Sequence, residues 1–223
     1  MIAPSAYRFH RACCITALAA YHIMAFFKNI RNYTMAQTPM SICVFCGARM
    51  GDSPVFAAAA ADLGTAIAHM GARLVYGAGD VGLMGVVARA AMTAGGSCLG
   101  VIPVHLMKLE VGKRDLTQFI ITEDMHERKK VMFMNSDIIA VLPGGAGSLD
   151  EFFEVLTWAQ IGLHQKPIIL LNIDGYWAPL IALLEHIIAH GFAAPTLRDL
   201  FGVVDDVAGF AAATARLSPN PQP

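Results

Sequence analysis

The chain has 223 residues, is 56 % hydrophobic and only 15 % charged, and carries a formal net charge of −1. That length suits one domain, and so apolar a composition favours a large buried core over disorder. Near-neutral charge, with no basic stripe after residue 50, excludes a general affinity for nucleic acid.

Residues 1–34 contain Arg8, Arg11, Lys28 and Arg31 but no acid, with an apolar run from Cys13 to Phe27 broken by Tyr21 and His22. The run is near the length of a signal h-region and short for a membrane span. Three readings compete: a targeting segment, a loose helical extension, or a true start at Met35 or Met40. The last is favoured, because strand-like sequence begins abruptly at Ser41. Residues 1–40 are expected to lie outside the core, with no membrane partner.

From there strands and helices alternate. Ser41–Phe45 reads as a strand ending at Cys46-Gly47. Pro54 opens an alanine-rich helix to about His69, stopped by Gly71. Arg73–Tyr76 is a strand, followed by a glycine turn and a helix to about Ala94. Ser97–Val101 is a third strand, closed by Pro103. Residues 104–117 show no strong period and read as an active-site loop with a short helical turn. Gln118–Thr122 is a strand, and Asp124 caps a helix over Met125–Asn135. Then come a strand at Ile138–Leu142, a helix at Ser148–Ile161, a strand at Pro167–Asn172 and a helix at Tyr176–His190. A last strand at Phe201–Val204 and a helix from Asp205 or Asp206 to about Ala215 complete the pattern, with a disordered tail from residue 216.

The strands are short and continuously apolar rather than alternating. This predicts one doubly wound, Rossmann-like α/β domain over 41–215, with a mainly parallel sheet and helices on both faces. Ligands in such folds lie beyond the carboxyl ends of the strands, where strand order reverses.

The stretch Leu142-Pro-Gly-Gly-Ala-Gly-Ser-Leu-Asp-Glu151 carries the most chemistry. A strand runs into Gly144, Gly145 and Gly147, then a hydroxyl, two carboxylates and an apolar helix. Glycines there let backbone N–H groups approach an anion, and a helix start adds its positive end. The lysine of a P-loop is missing, so triphosphate hydrolysis is not expected; a monophosphate fits a cradle without a metal. Ser148 serves the anion, the helix cap, or both. A second turn, Gly77-x-Gly79-x-x-Gly82, has dinucleotide spacing. It follows the second strand rather than the first, and no acid ends the next strand, which argues against a nicotinamide dehydrogenase. It is read as approaching the base or sugar of a nucleotide, the alternative being tight packing alone.

Met125-His-Glu-Arg-Lys-Lys130 concentrates charge at a helix N-terminus, where basic groups oppose the dipole. A bound anion or Glu151 is expected to compensate. Arg128 is taken as the inward residue because a guanidinium fork matches phosphate and carboxylate; Lys129 and Lys130 are expected to face solvent. Asp150 and Glu151 point in different directions, so they are not a facing carboxylate pair. Five cysteines, an odd number, argue against a disulfide framework. Cys43-x-x-Cys46 allows redox chemistry or half a metal site, but with no second pair it reads as two buried strand residues. The eight histidines show no ligand-like clustering, so no metal is expected.

These motifs resemble the Lonely Guy family, the cytokinin riboside 5′-monophosphate phosphoribohydrolases, called lysine decarboxylases in older usage. The hallmark Pro-Gly-Gly-x-Gly-Thr-x-x-Glu stands as Pro143–Glu151 with Ser148 for threonine, and Met-x-x-Arg-Lys as Met125–Lys129. Cys43–Gly47, Tyr76–Gly85, Gly100–Pro103, Thr157–Gly162, Lys166-Pro167 and Asn172-x-Asp174-Gly175-Tyr176 are similar too; Ala78 stands where a glycine is frequent, a change expected to narrow the pocket slightly. The resemblance covers about 41–213. It implies hydrolysis of the N-glycosidic bond of adenosine-type 5′-monophosphates, releasing base and ribose 5-phosphate. It implies no cofactor, a cytoplasmic homodimer with the active site near the interface, and Arg128 and Glu151 as the catalytic pair. Substrate would meet Gly79, Met125, Lys129, Gly144, Gly145, Ala146, Gly147 and Ser148. The competing functions are a non-hydrolytic nucleotide or molybdenum-cofactor carrier of similar fold, which needs the cradle but not the Arg–Glu pair, and a pyridoxal-phosphate decarboxylase, for which neither Lys129 nor Lys130 is marked as a Schiff-base residue.

Overall fold

The computed structural model describes residues 39–107 and 117–216. The expected extension before residue 39, most of the loop after residue 107 and the tail lie outside the described residues. The chain divides into units Met1–Thr38 and Pro39–Pro223, and the fold is that of the second.

The strands are β1 (Ser41–Phe45), β2 (Arg73–Tyr76), β3 (Cys98–Pro103), β4 (Gln118–Thr122), β5 (Ile138–Val141), β6 (Ile168–Leu171) and β7 (Gly202–Val204). They form a seven-stranded sheet in the order β4-β3-β2-β1-β5-β6-β7, with every pairing parallel. The helices between them are α1 (Pro54–His69), α2 (Gly82–Thr93), α3 (Val104–Met107), α4 (Met125–Met134), α5 (Ala146–Gln160), α6 (Ala178–Ala189) and α7 (Val207–Ala215).

Both faces of the sheet are buried, which is why its strands lack alternation. Ile42 and Val44 of β1, and Cys46 just after it, pack with Leu63 and Ile67 of α1, Val87 of α2 and Phe210 of α7. Cys43 and Phe45 turn to the other face, with Met132 of α4, Phe152 and Val155 of α5 and Leu184 of α6. The two thiols of the Cys-x-x-Cys pair therefore lie on opposite faces of the sheet, and both cysteines are free. Strand geometry makes this pair structural rather than redox-active.

Most expected boundaries agree within a residue or two. The Asp124 carboxylate accepts the Glu127 N–H at 2.8 Å and caps α4, while the Glu127 carboxylate accepts the N–H of Glu123, just before the cap, at 2.7 Å. Two expectations need correction. β3 extends to Pro103 because β4 continues the ladder to Thr122. The helix expected from Tyr176 starts at Ala178, after a 3-10 turn over Ile173–Gly175. There Asp174 takes φ +52° and Asn172 Oδ1 accepts the Trp177 N–H at 2.7 Å, a side-chain-closed turn that delays the helix. A second 3-10 segment, Pro195–Leu200, lies in a stretch without periodicity.

Strand order reverses between β1 and β5. The crevice beyond their carboxyl ends is framed by the loop after Cys46 on one side and the turn after Leu142 on the other.

Candidate active site

The turn after β5 enters α5 at Ala146, two residues before the expected start. Gly145 is the N-cap, and no side chain caps the helix. This corrects the capping role considered for Ser148, which sits inside the first turn. Ser148 is 3 % exposed. Its hydroxyl lines the cavity and makes no hydrogen bond to another described residue. The leading N–H groups of α5 have no intrahelical acceptor. A Cβ placed at Gly145 or Gly147 meets nothing within 4 Å, whereas one at Gly144 would lie 2.1 Å from Ser148 Oγ and 2.9 Å from the Gly47 nitrogen. Gly144 is thus required by the protein itself, while Gly145 and Gly147 leave open space beside a helix N-terminus, the arrangement that receives an anion.

Two clips hold this turn. The Gly47 N–H donates to the Pro143 carbonyl at 3.0 Å. The Tyr176 hydroxyl donates to the Gly144 carbonyl at 2.7 Å, and its ring meets Phe56 edge-on at 5.4 Å. The Asn172–Tyr176 motif therefore positions a tyrosine on the cradle.

Arg128, on α4, is 6 % exposed. Its Nε donates to the Val101 carbonyl at 3.1 Å and its Nη2 to the Gly77 carbonyl at 3.0 Å. A Cβ at Gly77 would lie 1.7 Å from Nη2. The glycine turn after β2 thus seats the guanidinium, and the protein's own packing requires a glycine at 77. Two carbonyls orient Arg128 without neutralising it, and its Nη1 faces the Met125 sulfur at 3.8 Å.

Glu151 lies on α5 and is 8 % exposed. Burial pushes its carboxyl up to about 7; Arg128 and Lys129 pull it down, Asp150 and Glu154 push it further up. Arg128 and Glu151 face one cavity, yet no ion pair joins them among the described residues. Lys129 does not face solvent as expected. It is 6 % exposed, and its ammonium sits 2.9 Å from Asp150 and 3.0 Å from Glu154. Those carboxylates and the Asp124 cap offset the basic start of α4, and Glu151 adds its own attraction to Arg128 and Lys129.

The cavity over the crevice has a volume of ≈ 560 Å³. Met125, Arg128, Gly144, Gly145, Gly147, Ser148 and Glu151 line it, as do Arg49, Met50, Asp52, Phe56, Leu83, Met84 and Tyr176. Gly79, Ala146 and Lys129 were expected at the substrate and are not in its lining: Gly79 is buried, and Lys129 turns to α5. Ala78, at φ +56° and fully buried, is outside it as well, so it does not narrow the pocket. Leu83, Met84 and Tyr176 lie within motifs of the sequence but had no role there. Arg49, Met50 and Asp52 carry no local signal beyond following the strand at the switch point.

Fold and site together define a doubly wound, parallel α/β protein with an anion cradle, a buried carboxyl and a buried guanidinium at its switch point. Residues 84–214 match the sequence model of the family described as "Possible lysine decarboxylase". The cytokinin riboside 5′-monophosphate phosphoribohydrolase of Rhodococcoides fascians is 44 % identical over 177 residues, covering 79 % of this chain and 89 % of that protein. One from Arabidopsis thaliana is 42 % identical over 159 residues, covering 71 % and 74 %. The chain belongs to this family, the Lonely Guy phosphoribohydrolases. Among solved structures, the molybdenum cofactor binding protein of Rippkaea orientalis superposes with a TM-score of 0.63 at 22 % identity, covering 82 % of this chain and 100 % of that one. That likeness is one of fold.

Proposed function

We propose that this chain hydrolyses the N-glycosidic bond of adenosine-type 5′-monophosphates, cytokinin riboside monophosphates among them, to free base and ribose 5-phosphate. The observation that carries the reading is the joint placement of Glu151, Arg128 and the α5 N-terminus around one cavity. The leading N–H groups of α5 and the Ser148 hydroxyl take the 5′-phosphate, with Arg49 as a further cation at the cavity wall. Met50, Phe56, Leu83, Met84 and Met125 offer apolar surface to a base and its substituent. As the C1′–N bond breaks, its electron pair leaves with the base and the ribose becomes oxocarbenium-like. The Glu151 carboxylate stabilises that charge and accepts a proton from the water that adds to C1′. A carboxyl titrating near 7 is poised for both giving and taking protons. Arg128 neutralises charge on the phosphate or on the leaving base.

The decarboxylase chemistry in the family's older description calls for a lysine amine free to form a Schiff base. Among the described residues no lysine lines the cavity. Burial works against the Lys129 charge, but the hydrogen bonds its ammonium donates to Asp150 and Glu154 outweigh it and hold it above the ordinary lysine range. Among the described residues no helix is long and apolar enough to cross a membrane. A cytoplasmic homodimer is part of the same proposal, and sedimentation of the purified chain tests its assembly.

Incubating the purified protein with AMP and with prenylated AMP, and measuring base by chromatography, tests the reading. Free base from either is expected. No base from both overturns hydrolysis, and equal turnover of the unphosphorylated nucleosides overturns the cradle assignment.

A further inference from the structure

Lys129 stands next to Arg128 in sequence, and its two partners stand on either side of Glu151 on α5. A buried ammonium held at 2.9 Å by Asp150 and 3.0 Å by Glu154 directly links the helix that carries Arg128 to the helix that carries Glu151. Asp150 is 61 % exposed at its side chain, Glu154 23 % and Lys129 only 7 %. The clamp therefore has a dry interior end at Lys129, where a charge without its partners is strongly disfavoured. Its geometry is directional, because one lysine reaches residues 150 and 154, a single helical turn apart, and so pins one rotational setting of α5. That setting turns Glu151 into the cavity, and Asp150 also lines its wall.

We propose that Lys129 is a positioning residue, whose ammonium between Asp150 and Glu154 locks α4 against α5 and so holds Arg128 and Glu151 toward one substrate. Lys129 acts through Glu151 rather than by touching the nucleotide. The charged and titratable groups around Glu151 are Arg128 and Lys129 from α4, Asp150 and Glu154 from α5, and the Cys43 and Cys46 thiols at β1. Within this set the clamp holds one charge that favours the Glu151 anion and two that oppose it. Removing one end or the other must therefore move Glu151 in opposite directions, a signature that loss of packing does not produce.

The kinetic part of the test rests on the hydrolase reading; titration of Glu151 does not. Lys129→Met, Lys129→Arg and Glu154→Gln are made in the full chain. Each is followed by its pH profile of kcat with AMP and by carboxyl-carbon NMR titration of Glu151. Lys129→Met is expected to move the Glu151 limb up by about one pH unit and to lower kcat about 10-fold near pH 7, with the KM for AMP within about twofold. Glu154→Gln is expected to move the limb down, and Lys129→Arg to stay close to wild type. The proposal is overturned by a raised KM in Lys129→Met with kcat and limb unmoved, which marks a direct substrate contact. Shifts of the same sign in Lys129→Met and Glu154→Gln, or none, overturn it too. If Lys129→Met does not fold, Glu154→Gln decides alone: a downward shift supports the clamp and an unmoved limb overturns it. If the wild type releases no base, hydrolysis fails on its own and the NMR titration still decides the clamp.

Discussion

Two glycine-rich turns leave parallel strands at the same edge of the sheet, and they do opposite things. The turn after β2 is filled by the protein: a Cβ at Gly77 would strike the Arg128 guanidinium at 1.7 Å. The turn after β5 is left open at Gly145 and Gly147, where a Cβ would meet nothing within 4 Å. Glycine spacing alone shows that something approaches the backbone closely. Only the surroundings show whether that is the chain's own side chain or a ligand. In this protein the first turn aims a cation, and the second leaves open space beside a helix N-terminus.

The sharpest way to break the comparison is at Glu151, the carboxyl behind the open turn. Glu151→Gln is expected to keep nucleotide binding and lose turnover at least ~10³-fold, the scale set by removing a preorganised group from a reacting centre. Calorimetry with AMP and a base-release assay check the two halves; unchanged hydrolysis ends the role given to Glu151. The same variant tests the electrostatics. In the folded protein this carboxyl titrates near 7 instead of its usual 4.5, so the native state binds the proton more tightly than the unfolded chain does. Wild-type stability is therefore unaffected by this group at low pH, falls as pH rises from about 4.5 to 7, and stays reduced above. The full difference is about 3 kcal/mol at ~1.4 kcal/mol per pH unit. Glu151→Gln should thus gain stability over wild type between pH 5 and pH 8 in denaturant titrations. A pH-independent difference would mean that burial is not what raises this carboxyl.

The next effect separates the turns directly. Gly77→Ala must displace Arg128, and is expected to lower kcat about 10²-fold, the usual scale for misplacing a reacting group by an ångström. Gly145→Ala introduces a methyl into open space at ordinary φ, and should change stability by at most ~1 kcal/mol as an N-cap change. Its expected signature is instead a KM for AMP raised about 10-fold, because the methyl occupies the cradle. Melting curves beside initial rates distinguish them. A Gly145→Ala enzyme with wild-type KM would place the phosphate elsewhere.

Much of the fold was legible because its signals are local. Apolar runs marked all seven strands, Pro54 marked the start of α1, Asp124 marked a helix cap, and Asp205 or Asp206 marked the start of the last helix, which Asp206 caps. The site was legible only in part. Arg128 and Glu151 were found by motif and by residue chemistry. The start of α5 was missed because glycines at 144, 145 and 147 read as loop, although Gly147 is already helical. Lys129 was read as a solvent-facing charge because its partners lie 21 and 25 positions away on another helix. Arg49, Met50 and Asp52 reach the cavity because β1 pairs with β5, a long-range neighbourhood that no window of sequence contains.

The smallest effect falls on Ala78, in the turn that the protein fills. This residue holds φ +56° with its methyl fully buried, a left-handed conformation that an alanine adopts at a cost of roughly 1–2 kcal/mol. Ala78→Gly removes that strain, but it also loosens the unfolded chain by roughly 0.4–1 kcal/mol and gives up a buried methyl. The opposing contributions leave a net change expected within about 1 kcal/mol of zero. Ala78 is not in the cavity lining, so kcat and KM for AMP and for prenylated AMP should stay within about twofold of wild type. A change in the preference between those two substrates would show that the turn after β2 also approaches the base. The division of labour between the two turns would then fail at Ala78.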